Sequence, residues 1–275
     1  MSFACLTACL HLDRPNDGVL GVARDLALRF GARVTGLAVK QASMHVAGRG
    51  VGPSEPHEHE MHKFKECAQA AEQRFRERLA SLGDPGWRAQ LTFGPATEFI
   101  AAEAREADLV LVPTGVQESY LFPSGHADPG DLLMRLGRPM LATPESVTGF
   151  SFGRAMVCWK DSREARRAVA DALPLLKAME RVEVVELTSA RQAEGARARL
   201  GDVGEWLGRH GVHSDCRAVL SHGPEAAQLQ AIAREMEADL IVAGGFGHSR
   251  LREWAFGGVT HDLVLNSDRC VLASH

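Results

Sequence analysis

Gly244, Gly247, Gly257 and Gly258 are spaced to hold an anion: two residues separate the first pair, and nine separate Gly247 from Gly257. The apolar run Leu240 to Ala243 precedes them, and the helix-like stretch Val259 to Val264 follows. A strand, a glycine loop and a helix start, in that order, make a phosphate cradle. The first helical turn leaves N–H groups unpaired and carries partial positive charge, and glycine lets the backbone come close to an anion. The same spacing also serves a tight strand-to-helix connection that binds nothing. It is not the P-loop pattern, which requires Gly-Lys-Ser/Thr, nor the dinucleotide fingerprint, which lies in the first βα turn.

Inside the nine-residue segment, His248, Ser249, Arg250 and Arg252 bring basic groups within reach of a β- or γ-phosphate, although Arg252 beside Glu253 also reads as solvated loop. His248 next to Ser249 does not read as a base and nucleophile, because adjacent residues face apart and no acid orients the pair. A second polar cluster is His57-Glu-His-Glu-Met-His62. It departs from H-E-x-x-H. His59 and His62, three apart on a helix, are weak metal candidates together with His57, while Glu58 and Glu60 suit a solvated helix start. The assignment from sequence is no metal.

These residues need a scaffold, and the chain supplies it twice. Ala107 to Val112 can be laid over Ala238 to Ala243 at an offset of 131 (239 − 108), each run preceded by a helical stretch opened by Gly-Pro. The same offset aligns Gly130 to Leu133 with His261 to Val264, and Gly137 to Leu141 with Asp268 to Leu272. Each copy reads as strands alternating with helices, which predicts a parallel sheet covered on both faces. A length of 275 residues suits two such domains. The division read from the sequence is residues 1–146, a linker at 147–153, and residues 154–275. The fold class is α/β, as two tandem doubly wound five-stranded sheets. The halves are expected to meet through their last strands, Pro139–Ala142 and Cys270–Ala273, as an intramolecular pseudo-dimer, because an uncovered terminal edge invites unwanted pairing.

A hydrophobic content of 45% with 24% charged residues is that of a globular chain, and a net charge of −4 argues against a nucleic-acid-binding face. No apolar run approaches the roughly 18 residues of a membrane span, and the start lacks a secretory signal, so a cytoplasmic location with no membrane partner is expected. Six cysteines without C-x-x-C spacing read as reduced core residues.

Gly-x2-Gly-x9-Gly, within Gly-Phe-Gly-His-Ser-Arg-Leu-Arg-Glu-Trp-Ala-Phe-Gly-Gly-Val-Thr from Gly245 to Thr260, resembles the signature loop of the universal stress protein family. The resemblance spans nearly the whole chain as a tandem pair, by motif in the second half and by organisation in the first. It implies an adenine nucleotide alpha hydrolase-like fold, strand order 3-2-1-4-5, and a crevice between the first and fourth strands of each half. It also implies ATP or AMP as ligand and a stress or metabolic-state response.

Two positions depart from the nucleotide-binding branch. That branch ends its motif Gly-Ser/Thr, where this chain has Gly258. It carries Asp-Gly-Ser after the first strand, where this chain reads Lys160-Asp161-Ser162. By resemblance, Asp161 takes the ribose contact, Lys160 pairs with a phosphate, and Thr260 supplies a hydroxyl from the first helical turn. In the first half, the offset of 131 puts Pro113, Val116, His126 and Ala127 where the four glycines stand, so that half reads as a degenerate copy. Trp159, at the end of the second half's first strand, reads as a core residue where an aromatic could also stack on a base.

The function expected is a binding or regulatory module, not a dedicated enzyme, with an adenine nucleotide in the C-terminal half and a protein partner the sequence does not identify. Slow ATP hydrolysis or adenylate sensing is one alternative, although no carboxylate set for Mg2+ is evident. A protein-interaction role with both crevices vestigial is the other. A homo-oligomer is compatible with all three.

Overall fold

The computed structural model describes residues 2–42, 55–114, 127–245 and 258–275. The first half runs β1 (Cys5–Leu10), α1 (Asp17–Phe30), β2 (Arg33–Gln41), α2 (Glu55–Arg78), β3 (Gly86–Thr92), α3 (Ala96–Glu103), β4 (Leu109–Thr114), α4 (Pro129–Leu136) and β5 (Met140–Pro144). The second runs β6 (Arg154–Trp159), α5 (Arg163–Leu176), β7 (Arg181–Thr188), α6 (Ala193–Arg209), β8 (Ser214–Leu220), α7 (Glu225–Glu235), β9 (Leu240–Gly244), α8 (Val259–Asn266) and β10 (Cys270–Ser274).

Local sequence explains the helices that frame the site. In α1, the buried residues Val19, Leu20, Val22, Ala23, Leu26 and Ala27 recur at helical spacing and give one apolar stripe. Helix α4 opens on Asp128, whose carboxylate accepts from the Asp131 N–H at 2.7 Å, with Pro129 in the first turn. Helix α5 opens on Ser162, whose hydroxyl oxygen accepts from the Ala165 N–H at 3.2 Å. Pro174, which has no N–H to give, falls in the last turn of α5, which ends at Leu176.

Among the described residues, ten strands lie in one sheet, in the order β3-β2-β1-β4-β5-β10-β9-β6-β7-β8. Each half therefore has the order 3-2-1-4-5, and the two expected sheets are continuous. The join is antiparallel: Met140 faces Ala273, Leu141 faces Leu272 and Ala142 faces Val271. Every other pairing is parallel. Both faces are covered, and each core runs across the join. Leu141 and Leu272 belong to the core under α1 and α5, whereas Met140, Ala142, Val271 and Ala273 belong to the opposite one under α4, α7 and α8.

The repeat is visible in side-chain duties as well as in topology. Asp108 Oδ2 accepts from the N–H groups of Ala4 and Cys5 at 2.7 and 3.0 Å, and Asp239 Oδ2, 131 residues on, accepts from Arg154 at 2.8 Å. Arg138 donates to the carbonyl of Arg105 at 2.9 Å, and its equivalent Arg269 donates to that of Ala238 at 2.8 Å. These pairs tie the fourth strand's entrance to its neighbours in each half.

Between β5 and β6 the chain is packed down on α1. A methyl group on Gly21 would sit 2.0 Å from the carbonyl oxygen of Thr148, so only glycine allows this approach. Phe150 donates its N–H to Asp25 Oδ2 at 2.9 Å. Phe150, Phe152, Phe30 and Phe3 then stack edge to face in succession, at centroid distances of 5.0, 6.1 and 5.3 Å, with the Arg29 guanidinium 5.6 Å from the Phe152 ring.

Candidate functional site

A crevice of about 600 Å³ opens at the carboxyl ends of β6 and β9. This is where strand order reverses in the second half, since β7 continues from β6 to one side and β10 from β9 to the other. Its walls come from the Lys160–Ser162 turn, the start of α5, the end of β7, Gly244 and the first turn of α8.

The Lys160–Ser162 turn is closed by the Ser162 N–H donating to the Lys160 carbonyl at 2.7 Å. Lys160 is exposed at the crevice mouth. Asp161 also lines the crevice, with its carboxylate paired to Arg166 at 2.6 Å; both side chains are more than half exposed. Screening by water keeps such a pair weak, so the carboxylate can exchange Arg166 for a ligand hydroxyl at small cost.

Gly244 ends β9 against α5. A methyl group there would lie 2.5 Å from the Ala165 nitrogen and 2.7 Å from the Glu164 carbonyl carbon. Close strand–helix packing therefore requires this glycine whether or not an anion is bound. Thr260 donates its hydroxyl to the Gly244 carbonyl at 2.6 Å, so its proton is engaged within the protein and its oxygen keeps only acceptor capacity. Gly258 is the N-cap of α8, at φ −73° and ψ 157°, a conformation open to any residue, and no side chain caps the helix there.

Gly247, His248, Arg250 and Gly257 lie outside the described residues, as does the side chain of His57. His62 Nε2 lies 3.3 Å from Glu66 Oε1, one turn further along α2. Among the described residues, no group of three or more His, Cys, Asp or Glu side chains converges as a metal site would require. In the first half, Pro113 is part of β4 and Ala127 packs on the core, whereas Val116 and His126 lie outside the described residues.

Four crevice residues were not singled out as polar candidates in the sequence. Glu164 is buried in the first turn of α5; burial pushes its carboxyl up, but its own backbone N–H, the Arg163 charge and the Ser162 hydroxyl together hold it below the ordinary glutamate value. Cys158 has its thiol pushed up to about 12 by burial, which leaves it protonated and unreactive at neutral pH. Glu186 and Arg199 form an ion pair at the crevice wall, with the Glu186 side chain 8% exposed, and the carboxylate raises the Arg199 pKa above its usual value. The available signal was a glutamate inside the apolar run of β7, where a buried strand has no use for a charge. Buried thiols at Cys9 and Cys270 are likewise raised to about 12, and all six cysteines are free.

Residues 151–275 match the model of the universal stress protein family. No curated protein matches the sequence. Among solved structures, a universal stress protein from Archaeoglobus fulgidus DSM 4304 aligns at 16% identity and a TM-score of 0.72, covering 98% of this chain and 95% of that one. A candidate universal stress protein from Pseudomonas aeruginosa UCBPP-PA14 aligns at 14% identity and 0.61, covering 99% and 93%. A protein of unknown function from Pseudomonas aeruginosa PAO1 aligns at 14% and 0.59, covering 98% and 92%. These likenesses over the full length are likenesses of fold. Among the described residues, no helix is long and apolar enough to cross a membrane. Residues 151–275 are thus similar to the universal stress protein family, and the two halves together carry in tandem the fold of the full-length universal stress protein structure from Archaeoglobus fulgidus.

Proposed function

We propose that this chain is a regulatory binding module that takes one adenine nucleotide, in the crevice of its C-terminal half, and communicates its occupancy to a protein partner in a stress or metabolic response. The observation that carries this is the crevice itself. About 600 Å³ lies at the strand-order reversal, with Asp161 and Lys160 on one rim and the α8 N-terminus on the other. Under this reading Asp161 holds the ribose, Lys160 and Arg250 meet phosphates, and Gly257, Gly258 and the α8 N–H groups cradle them with Gly247 and His248 in the connecting loop. The first half, with Pro113 in place of the first glycine, is the structural copy.

A second reading, an interaction module that binds no nucleotide, is favoured by the duties Gly244, Thr260 and Asp161 already perform inside the protein. Mass spectrometry of small molecules released from freshly purified protein, followed by calorimetry with AMP and ATP, separates the two. The expected result is one adenine nucleotide per chain. Two equivalent sites, or no binding of either nucleotide, would overturn the proposal.

A further inference from the structure

Trp159 and Glu186 are direct neighbours across the β6–β7 pairing, and both are buried, at 8% and 6% exposure. Each keeps a hydrogen-bonding atom unused. The indole N–H of Trp159 has no acceptor, Glu186 Oε2 has no donor, and the Nε–H of Arg199 is also without a partner, although another nitrogen of Arg199 holds Glu186 Oε1. Buried polar atoms without partners are rare and destabilising in a folded chain. A donor and an acceptor left open on paired residues of adjacent strands complement an edge that carries an acceptor next to a donor. Trp159, Asp161 and Arg199 line the 600 Å³ crevice and also an adjoining groove of about 410 Å³ between α5 and α6, which Val169, Val203 and Trp206 make apolar. The groove has the walls for a flat ring, and Asp161 stands where the two spaces meet.

We propose that Trp159 and Glu186 read the base of the bound nucleotide: Glu186 Oε2 accepts from an exocyclic amine, and the Trp159 N–H donates to the neighbouring ring nitrogen. Adenine presents that pair of groups. Both protein atoms are shielded from solvent in the ligand-free chain, and Arg199, a long and partly exposed side chain over the carboxylate, swings aside to admit the base. The inference rests on nucleotide binding in this half and goes beyond it by naming the atoms that select the base.

The test is calorimetric affinity for adenosine, purine riboside, which lacks the 6-amino group, and inosine, which replaces it with a carbonyl. The wild-type chain should favour adenosine over purine riboside by about tenfold to a hundredfold, the range for one hydrogen bond to a charged group, and should bind inosine no better than purine riboside. Glu186→Leu should erase the preference for adenosine. Should that variant lose its cooperative melting transition, Glu186→Gln serves instead and should shrink the preference. Trp159→Phe should weaken adenosine and purine riboside alike and leave their ratio unchanged; it is the contrast with Glu186→Leu, which changes the ratio, that a merely structural role for the pair would not produce. Equal wild-type affinity for the two nucleosides, or a preference that survives both Glu186 variants, would overturn the assignment while leaving nucleotide binding intact. Failure of the wild-type chain to bind either adenosine or AMP would overturn both.

Discussion

The Thr260 hydroxyl donates to the carbonyl of Gly244 across 2.6 Å, fastening the first turn of α8 to the last residue of β9. The two ends of the glycine loop are thereby pinned to each other, independently of what lies between them. Thr260→Val should lower stability by about 0.5–1.5 kcal/mol, the usual net worth of a neutral hydrogen bond, and Thr260→Ser should recover most of it. Urea denaturation of the three chains checks this, and equal midpoints for wild type and the valine variant would show that the bond contributes nothing.

Gly244 and Gly258 should respond oppositely to added side chains. Gly244→Ala drives a methyl group into the α5 backbone, so a loss of about 1–3 kcal/mol is expected, as for other overpacked sites. Gly258→Ser meets no backbone strain at φ −73° and gives α8 the cap it lacks; relative to glycine this is worth only a few tenths of a kcal/mol. If position 258 faces the terminal phosphates, the same serine should tighten ATP several-fold and leave AMP unchanged. Thermal melting and calorimetry on the two variants report both effects.

Glu164 makes stability depend on acid pH. Its carboxyl is held below the ordinary glutamate value of about 4.3, so the unfolded chain binds this proton more readily than the folded one. The stabilisation is fully present above about pH 4.3 and disappears as the pH falls through the depressed folded value. The stability gap between wild type and Glu164→Gln should therefore be widest near neutrality and close on acidification. A gap independent of pH would mean that the charge is not what stabilises α5.

Cutting the chain at residue 154 should expose the whole of one edge of β10, a strand buried at all five positions. A fragment of residues 154–275 should dimerise or aggregate through that edge. Sedimentation of the fragment at several concentrations decides the matter, and a stable soluble monomer would contradict it.

The fold was legible because its signals are periodic. Leu109 to Val112 and Leu240 to Ala243 are unbroken apolar runs, as buried parallel strands must be, and the offset of 131 between them marks the duplication in the sequence itself. The site was legible only in part. The Lys160–Ser162 turn, Gly244 and Thr260 do meet in one crevice, because strand ends and helix starts converge wherever strand order reverses. What these residues do there was hidden. Nothing in the spacing of glycines says that α5 presses on Gly244, or that the Thr260 proton is taken by a backbone carbonyl. Glu186 escaped notice because its significance depends on Trp159, a neighbour 27 residues earlier in the chain (186 − 159), and a strand pairing brings the two together.

The join between β5 and β10 also governs the order in which the protein can be completed during synthesis. The strand that covers the edge of β5 is Cys270–Ser274, about 130 residues further along, so the N-terminal half can form all its own contacts and still present one raw edge until β10 has been made. Throughout that interval a nascent chain offers Met140–Pro144 to any extended segment nearby, including the same strand of a neighbouring copy on the same message. Closure then depends on two segments about 130 residues apart finding each other, a slow step by the standards of local pairing. Residues Cys270–Ser274 are therefore the latch of the whole molecule, and the interval before they emerge is when it is most exposed to aggregation.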